Sequence, residues 1–508
     1  MHGKPLHPDP HVNEPAHLRA VPDVGARPAG PEGSRLRPTT VRSSAPAPAA
    51  RQAAPEVDYT VATELKRRVA ESLSLAVGRD PGMTDVTRQQ RGRDLINNAV
   101  AVWADAAAIE RGTSTTPAEE QTLAEAVFDL LFRTGRLQHH LDDETVENVL
   151  INGFDDVWVD RGDGQRERVA PVAESNEDLI EMLRDLARRS GQGERTLSTA
   201  EPMMALRLPD GSRLQAMTDV TQCPMVTIRR HRVRDSDLST MIGLGTVDQT
   251  LASFLSSLIR AKKNVLIAGT QAVGKTSLMR AMAREIPKHE RIGTLESEYE
   301  LFLHENRHHE QIVAMESREG NGERVDGSSA GEITLGDLIP AALRMTLSRM
   351  IVGEVRGKEV VPMLQAMTNG EGGSMCTIHA RAPHMIFDRI AELYMQSGNG
   401  FTENLAYRQV ANGVDFVVYV TMIDETGIGG RRHRFVSHVM EVTGAGESGR
   451  PATNVIFGPR PETGEVRAVP LMNPACLHDL MRVGFNADLL NQPNGSWAGP
   501  LDLLVRQS

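Results

Sequence analysis

At roughly 150 residues per domain, a chain of 508 residues holds about three domains. With 56 basic and 67 acidic side chains, its formal net charge is -11, which argues against a surface built as a whole to grip nucleic acid. The three cysteines, Cys223, Cys376 and Cys476, lie far apart with no CxxC pair, excluding both a tetracysteine zinc site and a disulfide scaffold.

Residues 1–55 hold 11 of the 28 prolines and almost no aromatics, and they read as a disordered tail. The tail is mildly basic, and its composition favours a solvated segment over a membrane- or partner-binding one. Residues 56–140 read as a helical extension, with Val61, Leu65, Val69 and Leu73 at near-helical spacing and Ala124, Phe128 and Leu131 repeating the pattern. An α+β N-terminal domain is expected over 141–235. Its strands are Val149–Ile151, Val157–Val159, 205–208, 212–214 and 226–229, with an amphipathic helix over Leu179–Arg189. The connector Arg230 to Asp235 reads equally as a hinge or as a solvated linker. Residues 236–508 are expected to form a P-loop domain with a C-terminal extension. A helix over about 248–261 precedes the buried strand Val265–Ala268, and strands and helices then alternate to about 442, the pattern of a mostly parallel sheet wrapped by helices. Gly-rich stretches near 320–332 and 444–449 read as exposed loops. The longest apolar runs, such as Phe416 to Met422, fall short of the roughly 20 residues that span a bilayer. The N-terminus has no apolar core segment, so the expected location is cytoplasmic, with any membrane attachment through a partner.

The strongest chemical signal is Gly269-Thr270-Gln271-Ala272-Val273-Gly274-Lys275-Thr276, followed by Ser277. It matches G-x-x-x-x-G-K-[ST] and lies after a buried strand and before a helix. Backbone N–H groups of such a loop wrap phosphates, the helix N-terminus adds positive potential, Lys275 reaches the β- and γ-phosphates, and Thr276 can hold magnesium. A second signal is Arg349-Met350-Ile351-Val352-Gly353-Glu354, an apolar strand ending in a carboxylate that can orient water beside a γ-phosphate. In the acidic stretch Thr294 to Leu301, a strand would put Glu296, Glu298 and Glu300 on one face, where they need a cation or a basic partner. A histidine at a strand end, His379 in Gly373 to Ala380, is by itself more often structural. The pair His308-His309 lacks partners at metal-ligand spacing. Arg207, Arg213, Arg229 and Arg230 suit phosphate recognition, although sequence alone leaves them as surface arginines.

Taken in order, these stretches resemble the type II/type IV secretion ATPase superfamily, most closely its CpaF/TadA-type pilus-assembly ATPases. Arg349 to Gly357 is very similar to that family's IIVGEVRG block, and Met363 to Met367 with Ser374 to His379 resembles its His box. Glu296 to Leu301 sits where the family has its Asp box, and Leu206 to Leu214 looks like its ARLPDGSRV segment. The likeness covers about residues 145–442. It departs at Gln271-Ala272-Val273, where the family loop has more glycine, at Ser297 in the Asp box, at Thr346-Leu347-Ser348 before the second strand, and at Gly370-Glu371-Gly372 before the His box.

The resemblance implies an α/β fold in which a RecA-like motor domain follows a small α+β domain, with ATP bound between them in a homo-hexameric ring. Lys275 and Thr276 then take the P-loop roles with magnesium, Glu354 is the Walker B acid, Glu296 and Glu300 are the Asp-box acids, and His379 senses the γ-phosphate. Arg207 and Arg213 reach the phosphates from the N-terminal domain. The implied activity is ATP hydrolysis that powers assembly of a Flp/Tad-type pilus or protein secretion, at the inner face of the plasma membrane and through inner-membrane platform proteins. Stable nucleic-acid binding is not expected. Two rival readings are a DNA-transfer motor and a nucleotide-gated scaffold that does not hydrolyse ATP.

Overall fold

The computed structural model describes residues 57–505, apart from 81, 113, 163, 191–196, 231–235, 319–323, 326–327, 330, 399 and 447–448. The tail 1–55 and most of the connector Arg230 to Asp235 therefore lie outside the described residues.

Three helices come first: α1 (Tyr59–Arg79), α2 (Asp85–Arg111) and α3 (Pro117–Phe132). Asp58 starts α1 by accepting the N–H groups of Thr60 and Val61, and a Thr116–Glu119 capping box starts α3. Leu65 and Val69 of α1, Ile96 and Val100 of α2, and Leu123 and Val127 of α3 share one core. In α1 the buried stripe begins at Ala62 rather than at Val61, which is only partly covered. The short α4 (Gln138–Asp142) follows.

A six-stranded antiparallel sheet comes next, built from β1 (Val146–Asn152), β2 (Val157–Arg161), β3 (Arg166–Val169), β4 (Met203–Arg207), β5 (Arg213–Met217) and β6 (Met225–Arg229). Its order is β3-β2-β1-β6-β5-β4, and α5 (Asn176–Ser190) lies between β3 and β4 in the chain. Val149, Ile151, Val157, Val159, Leu214 and Ile228 pack with Leu179 and Leu183 of α5. Burial alternates along these strands, as in a sheet with one packed face. Arg230 then donates to the carbonyl oxygens of Asp143 and Val146, tying the end of β6 to the start of β1.

The rest of the chain builds a nine-stranded sheet of order β17-β16-β15-β14-β7-β13-β12-β8-β9. In the chain, α6 (Leu238–Gly243) and α7 (Gln249–Arg260) lead to β7 (Val265–Gly269) and α8 (Lys275–Ala283). Next are β8 (Arg291–Glu296), β9 (Gln311–Glu316) and the two-residue strands β10 (Arg324–Val325) and β11 (Ser328–Ser329). Then come α9 (Leu335–Ala342), β12 (Arg349–Val355), α10 (Val360–Asn369), β13 (Met375–His379), α11 (Ile386–Gln396), α12 (Glu403–Gly413) and β14 (Phe416–Asp424). The six strands β9, β8, β12, β13, β7 and β14 run parallel. Alternate residues feed two cores: Val265 and Ile267 of β7 pack with α7 and α8, while Leu266 and Ala268 pack with α9 to α12. At the edge of the first core, the buried Arg349 guanidinium makes two bonds to Glu290, 2.7 and 2.8 Å, and a third to the carbonyl of Ile259.

Beyond β14 the alternation of strand and helix gives way to an antiparallel meander of β15 (Arg432–Ala445), β16 (Pro451–Arg460) and β17 (Glu465–Pro470). Of the Gly-rich stretch 444–449, expected as a loop, residues 444 and 445 belong to β15, residues 447–448 lie outside the described residues, and the Gly446 N–H donates to the carbonyl of Arg450. The last described segment carries α13 (Leu477–Arg482) and packs back on the sheet. Glu441 accepts the N–H groups of Ala475 and Cys476, Asp248 that of Ser496, and Glu425 those of Leu504 and Val505. Among the described residues no helix is long and apolar enough to cross a membrane.

Candidate nucleotide-binding site

The carboxyl ends of parallel strands are where an open α/β sheet places ligands, and here the loops after β7, β12 and β13 converge on a cavity of about 480 Å³. Gly269 through Ser277 connect the fully buried β7 to α8. Gly269 lies so close to β14 that a Cβ there would stand 2.3 Å from the carbonyl oxygen of Val420, which excludes any side chain. Gly274 takes φ +97° immediately before the helix. Ala272 also takes a left-handed conformation, φ +62°. The loop therefore keeps its shape at a position where glycine would be unstrained, at a cost of about 1 kcal/mol. Gln271, Ala272, Val273, Gly274, Lys275, Thr276 and Ser277 line the cavity.

Lys275 is buried, and its Nζ lies 2.9 Å from the carbonyl of Thr270 and 3.1 Å from Nδ1 of His379. Burial lowers its pKa to about 8, against the opposing pull of Glu354. His379 ends β13, and its other ring nitrogen, Nε2, contacts the Glu354 carboxylate. Arg356 donates to the same carboxylate through Nε, at 2.5 Å. Burial pushes Glu354 up, but the His379 and Arg356 bonds outweigh it and hold the acid at about 2. Lysine, histidine, glutamate and arginine thus form one connected chain from the loop to the end of β12, with Glu354 ionised.

The acidic stretch differs from the expected strand. β8 ends at Glu296, and the chain then curls so that the N–H groups of Glu300 and Leu301 donate to Glu296 Oε2 at 2.7 and 2.8 Å. The three acids therefore do not share a strand face, because Glu296 draws the following backbone around its own carboxylate. Its second oxygen, Oε1, is buried without a hydrogen-bond partner. Burial raises Glu296 to about 7, with the two backbone bonds opposing. Glu300 instead points to the loop, where its Oε2 accepts from Thr276 Oγ1 at 3.3 Å.

The arginines of the six-stranded sheet stand in one cross-strand row, Arg207 opposite Arg213 and Arg213 opposite Arg229. Like charges placed so close need acid partners. Arg207 pairs with Glu316 at 3.0 Å, and Arg213 with Glu298 and Glu300 at 2.5 and 2.7 Å. Both are therefore engaged with the acidic segment and its neighbouring strand and lie outside the cavity lining, whereas Arg229 and Arg230 line the cavity. The sequence pointed to the first two as phosphate contacts only through its family resemblance. The reading from sequence passed over Arg356, Arg432 and Arg434, which also line the cavity. Their spacing was a signal: residues 432 and 434 are two apart on one strand and so share a face.

Among the described residues no group of three or more His, Cys, Asp or Glu is arranged to hold a metal ion by itself. Magnesium seldom uses such a cage. It binds through one or two protein oxygens together with phosphates and water. The hydroxyl of Thr276, the carboxylate of Glu300 and the partnerless oxygen of Glu296 are hard donors of the kind it takes, so the residues fit. His308, from the pair weighed for metal, has its Nε2 2.8 Å from the carbonyl of Arg284.

The family described as Type II/IV secretion system protein matches residues 133–442, more than half of the chain. The chain belongs to that family. A Mycobacterium tuberculosis protein named for conjugal transfer is 30% identical over 295 residues, covering 56% of this chain and 79% of the relative. The type IV secretion system protein PtlH of Bordetella pertussis is 27% identical over 330 residues, 60% of this chain and 93% of PtlH. Among solved structures, the VirB11 ATPase of the Brucella suis type IV secretion system aligns over 63% of this chain and 96% of its own, at 24% identity and a TM-score of 0.32. The secretion family and the parallel sheet with its P-loop together give an α/β, RecA-like motor fold behind an N-terminal α+β sheet. Membership carries nucleotide binding and a secretion-system context with it.

Proposed function

We propose that this chain hydrolyses ATP to ADP and phosphate and turns the energy into mechanical work, as the motor of a Flp/Tad-type pilus or of a protein-secretion apparatus. The observation that carries the reading is the connected chain Lys275–His379–Glu354–Arg356 in a cavity that also takes Arg229 from the N-terminal sheet. Lys275 would exchange its bonds to Thr270 and His379 for phosphate oxygens. His379, between the lysine and Glu354, would register that exchange as a sensor of the γ-phosphate. Glu354, ionised at neutral pH, would orient the attacking water. Thr276, Glu300 and Glu296 would hold magnesium, which supplies charge stabilisation to the phosphates when bound. Arg207 and Arg213 would be released from their acid partners to meet phosphate when the two sheets close. Six copies in a ring at the inner face of the plasma membrane, against membrane platform proteins, would share the motion.

Steady-state ATP turnover by the full chain against protein concentration tests this reading, beside Lys275→Ala and Glu354→Gln. Turnover that rises as copies assemble and disappears in both variants supports it. ATP binding without turnover above the Lys275→Ala control, at concentrations where rings form, replaces it with the nucleotide-gated scaffold. The relative named for conjugal transfer favours one further reading, a DNA-transfer motor, which salt-sensitive binding of duplex DNA would establish.

A further inference from the structure

The loop that should cradle phosphate lacks glycine at Ala272 and still adopts the left-handed conformation there. A contact from outside the loop would offset the cost of that conformation. The loop's own sequence offers no help, because Gln271, Ala272 and Val273 are less permissive than glycine. The neighbour that reaches it is Arg434 of β15, whose Nε donates to the Ala272 carbonyl at 3.1 Å. The same guanidinium lies 3.6 Å, through its second nitrogen, from the Glu147 carboxylate on β1 of the six-stranded sheet.

The position of β15 is itself fixed from several sides. Its partner β14 pairs with β7, with Val420 opposite Gly269 at the start of the loop, and Met422 opposite Arg434 on β15. The Val436 N–H donates to the carbonyl of Thr246, and Arg432 is held by Asp424 at 2.8 Å. The next residue, Glu425, accepts the N–H groups of Leu504 and Val505, so the turn between the two strands is clasped by the end of the described chain. Arg434 thus extends from the β14–β15 hairpin to the carbonyl of Ala272, the phosphate-loop residue that takes a left-handed conformation without being glycine.

We propose that Arg434 is a positioning residue for the nucleotide site, bracing the phosphate loop at Ala272 and coupling its shape to the N-terminal sheet through Glu147. This rests on the ATP reading above and adds the means by which a glycine-poor loop is kept ready for phosphate. An arginine suits the task because its fork can serve a carbonyl and a carboxylate together, whereas a lysine offers one point charge. Movement of the N-terminal sheet would then pull on the loop through Glu147 and Arg434.

Binding of a fluorescent, magnesium-loaded ATP analogue to the full chain, with hydrogen exchange at residues 270–274, tests the brace. The variants are Arg434→Ala, Arg434→Lys, Ala272→Gly and the double change Arg434→Ala with Ala272→Gly. Arg434→Ala should weaken binding roughly ten-fold and raise exchange in the loop. Arg434→Lys should fall between it and the native chain. Arg434→Ala should cost much less binding in the Ala272→Gly background than in the native one, so the double variant should bind better than Arg434→Ala, since the loop then needs no brace. Native binding matched by Arg434→Ala, with unchanged exchange, would overturn the brace while leaving the ATP reading intact. So would a double variant no better than Arg434→Ala, because the arginine would then act on the nucleotide directly or on the fold alone. A native chain that binds no analogue, like Lys275→Ala, would sink the ATP reading itself and the brace with it.

Discussion

The two sheets of this protein solve the same packing problem in opposite ways. The six-stranded sheet buries one face against α5 and leaves the other partly or fully uncovered, so its strands alternate between covered and uncovered residues. The nine-stranded sheet is covered on both faces, and all five residues of β7 are buried. The contrast decides where chemistry can sit. A sheet with a free face can carry a row of charged side chains across neighbouring strands, here Arg207 at the end of β4, Arg213 at the start of β5 and Arg229 at the end of β6. A sheet buried on both sides can present reactive groups only at its strand ends, and Glu296, Glu354, His379 and the phosphate loop all lie there.

The contrast can be broken most strongly at the strand ends. Lys275→Ala and Glu354→Gln should each lower ATP turnover by about a hundred-fold or more, the first with loss of binding and the second with binding retained, in a steady-state assay beside a titration. Within the buried sheet, Arg349→Ala leaves Glu290 ionised without its partner and should destabilise the fold by about 3–5 kcal/mol in denaturant titration. An apolar truncation in the other sheet's single core, Leu183→Ala, should cost about 2–5 kcal/mol. The smallest effect is a pH dependence at Glu296. Its folded value of about 7 lies above the ordinary 4.5, so between these the folded chain holds a proton that the unfolded chain has released. Its contribution is therefore fully present at low pH and is lost as pH rises toward about 7. Melting temperature should fall more steeply between about pH 5 and about pH 8 in the native chain than in Glu296→Gln.

Much of this was legible in the residues. The phosphate loop announced itself by a motif between a buried strand and a helix, and β7 and α8 stand where it put them. Strand and turn signals gave five of the six strands of the six-stranded sheet, all but β3, and the clustering of its arginines was visible before their row was. Other features depended on tertiary contacts. Glu296 to Glu300 read as a strand because alternate acids suggest one, yet the backbone prefers to wrap a buried carboxylate with its N–H groups. The antiparallel meander β15 to β17 was missed because strand direction leaves no mark in a run of apolar residues. Arg434 was missed because its contact with the carbonyl of Ala272, 162 residues away in the chain, exists only after folding.

The central claim is that both sheets hold the nucleotide. Arg229 ends β6, lines the cavity and is exposed, so its removal should leave the fold intact. The direct test is the affinity of magnesium-ATP for Arg229→Ala, measured by calorimetry beside the native chain and Lys275→Ala. The account predicts a loss of about ten-fold, the worth of a charge-assisted hydrogen bond to phosphate. Affinity equal to that of the native chain, with binding still abolished in Lys275→Ala, would contradict it and confine the site to the nine-stranded sheet.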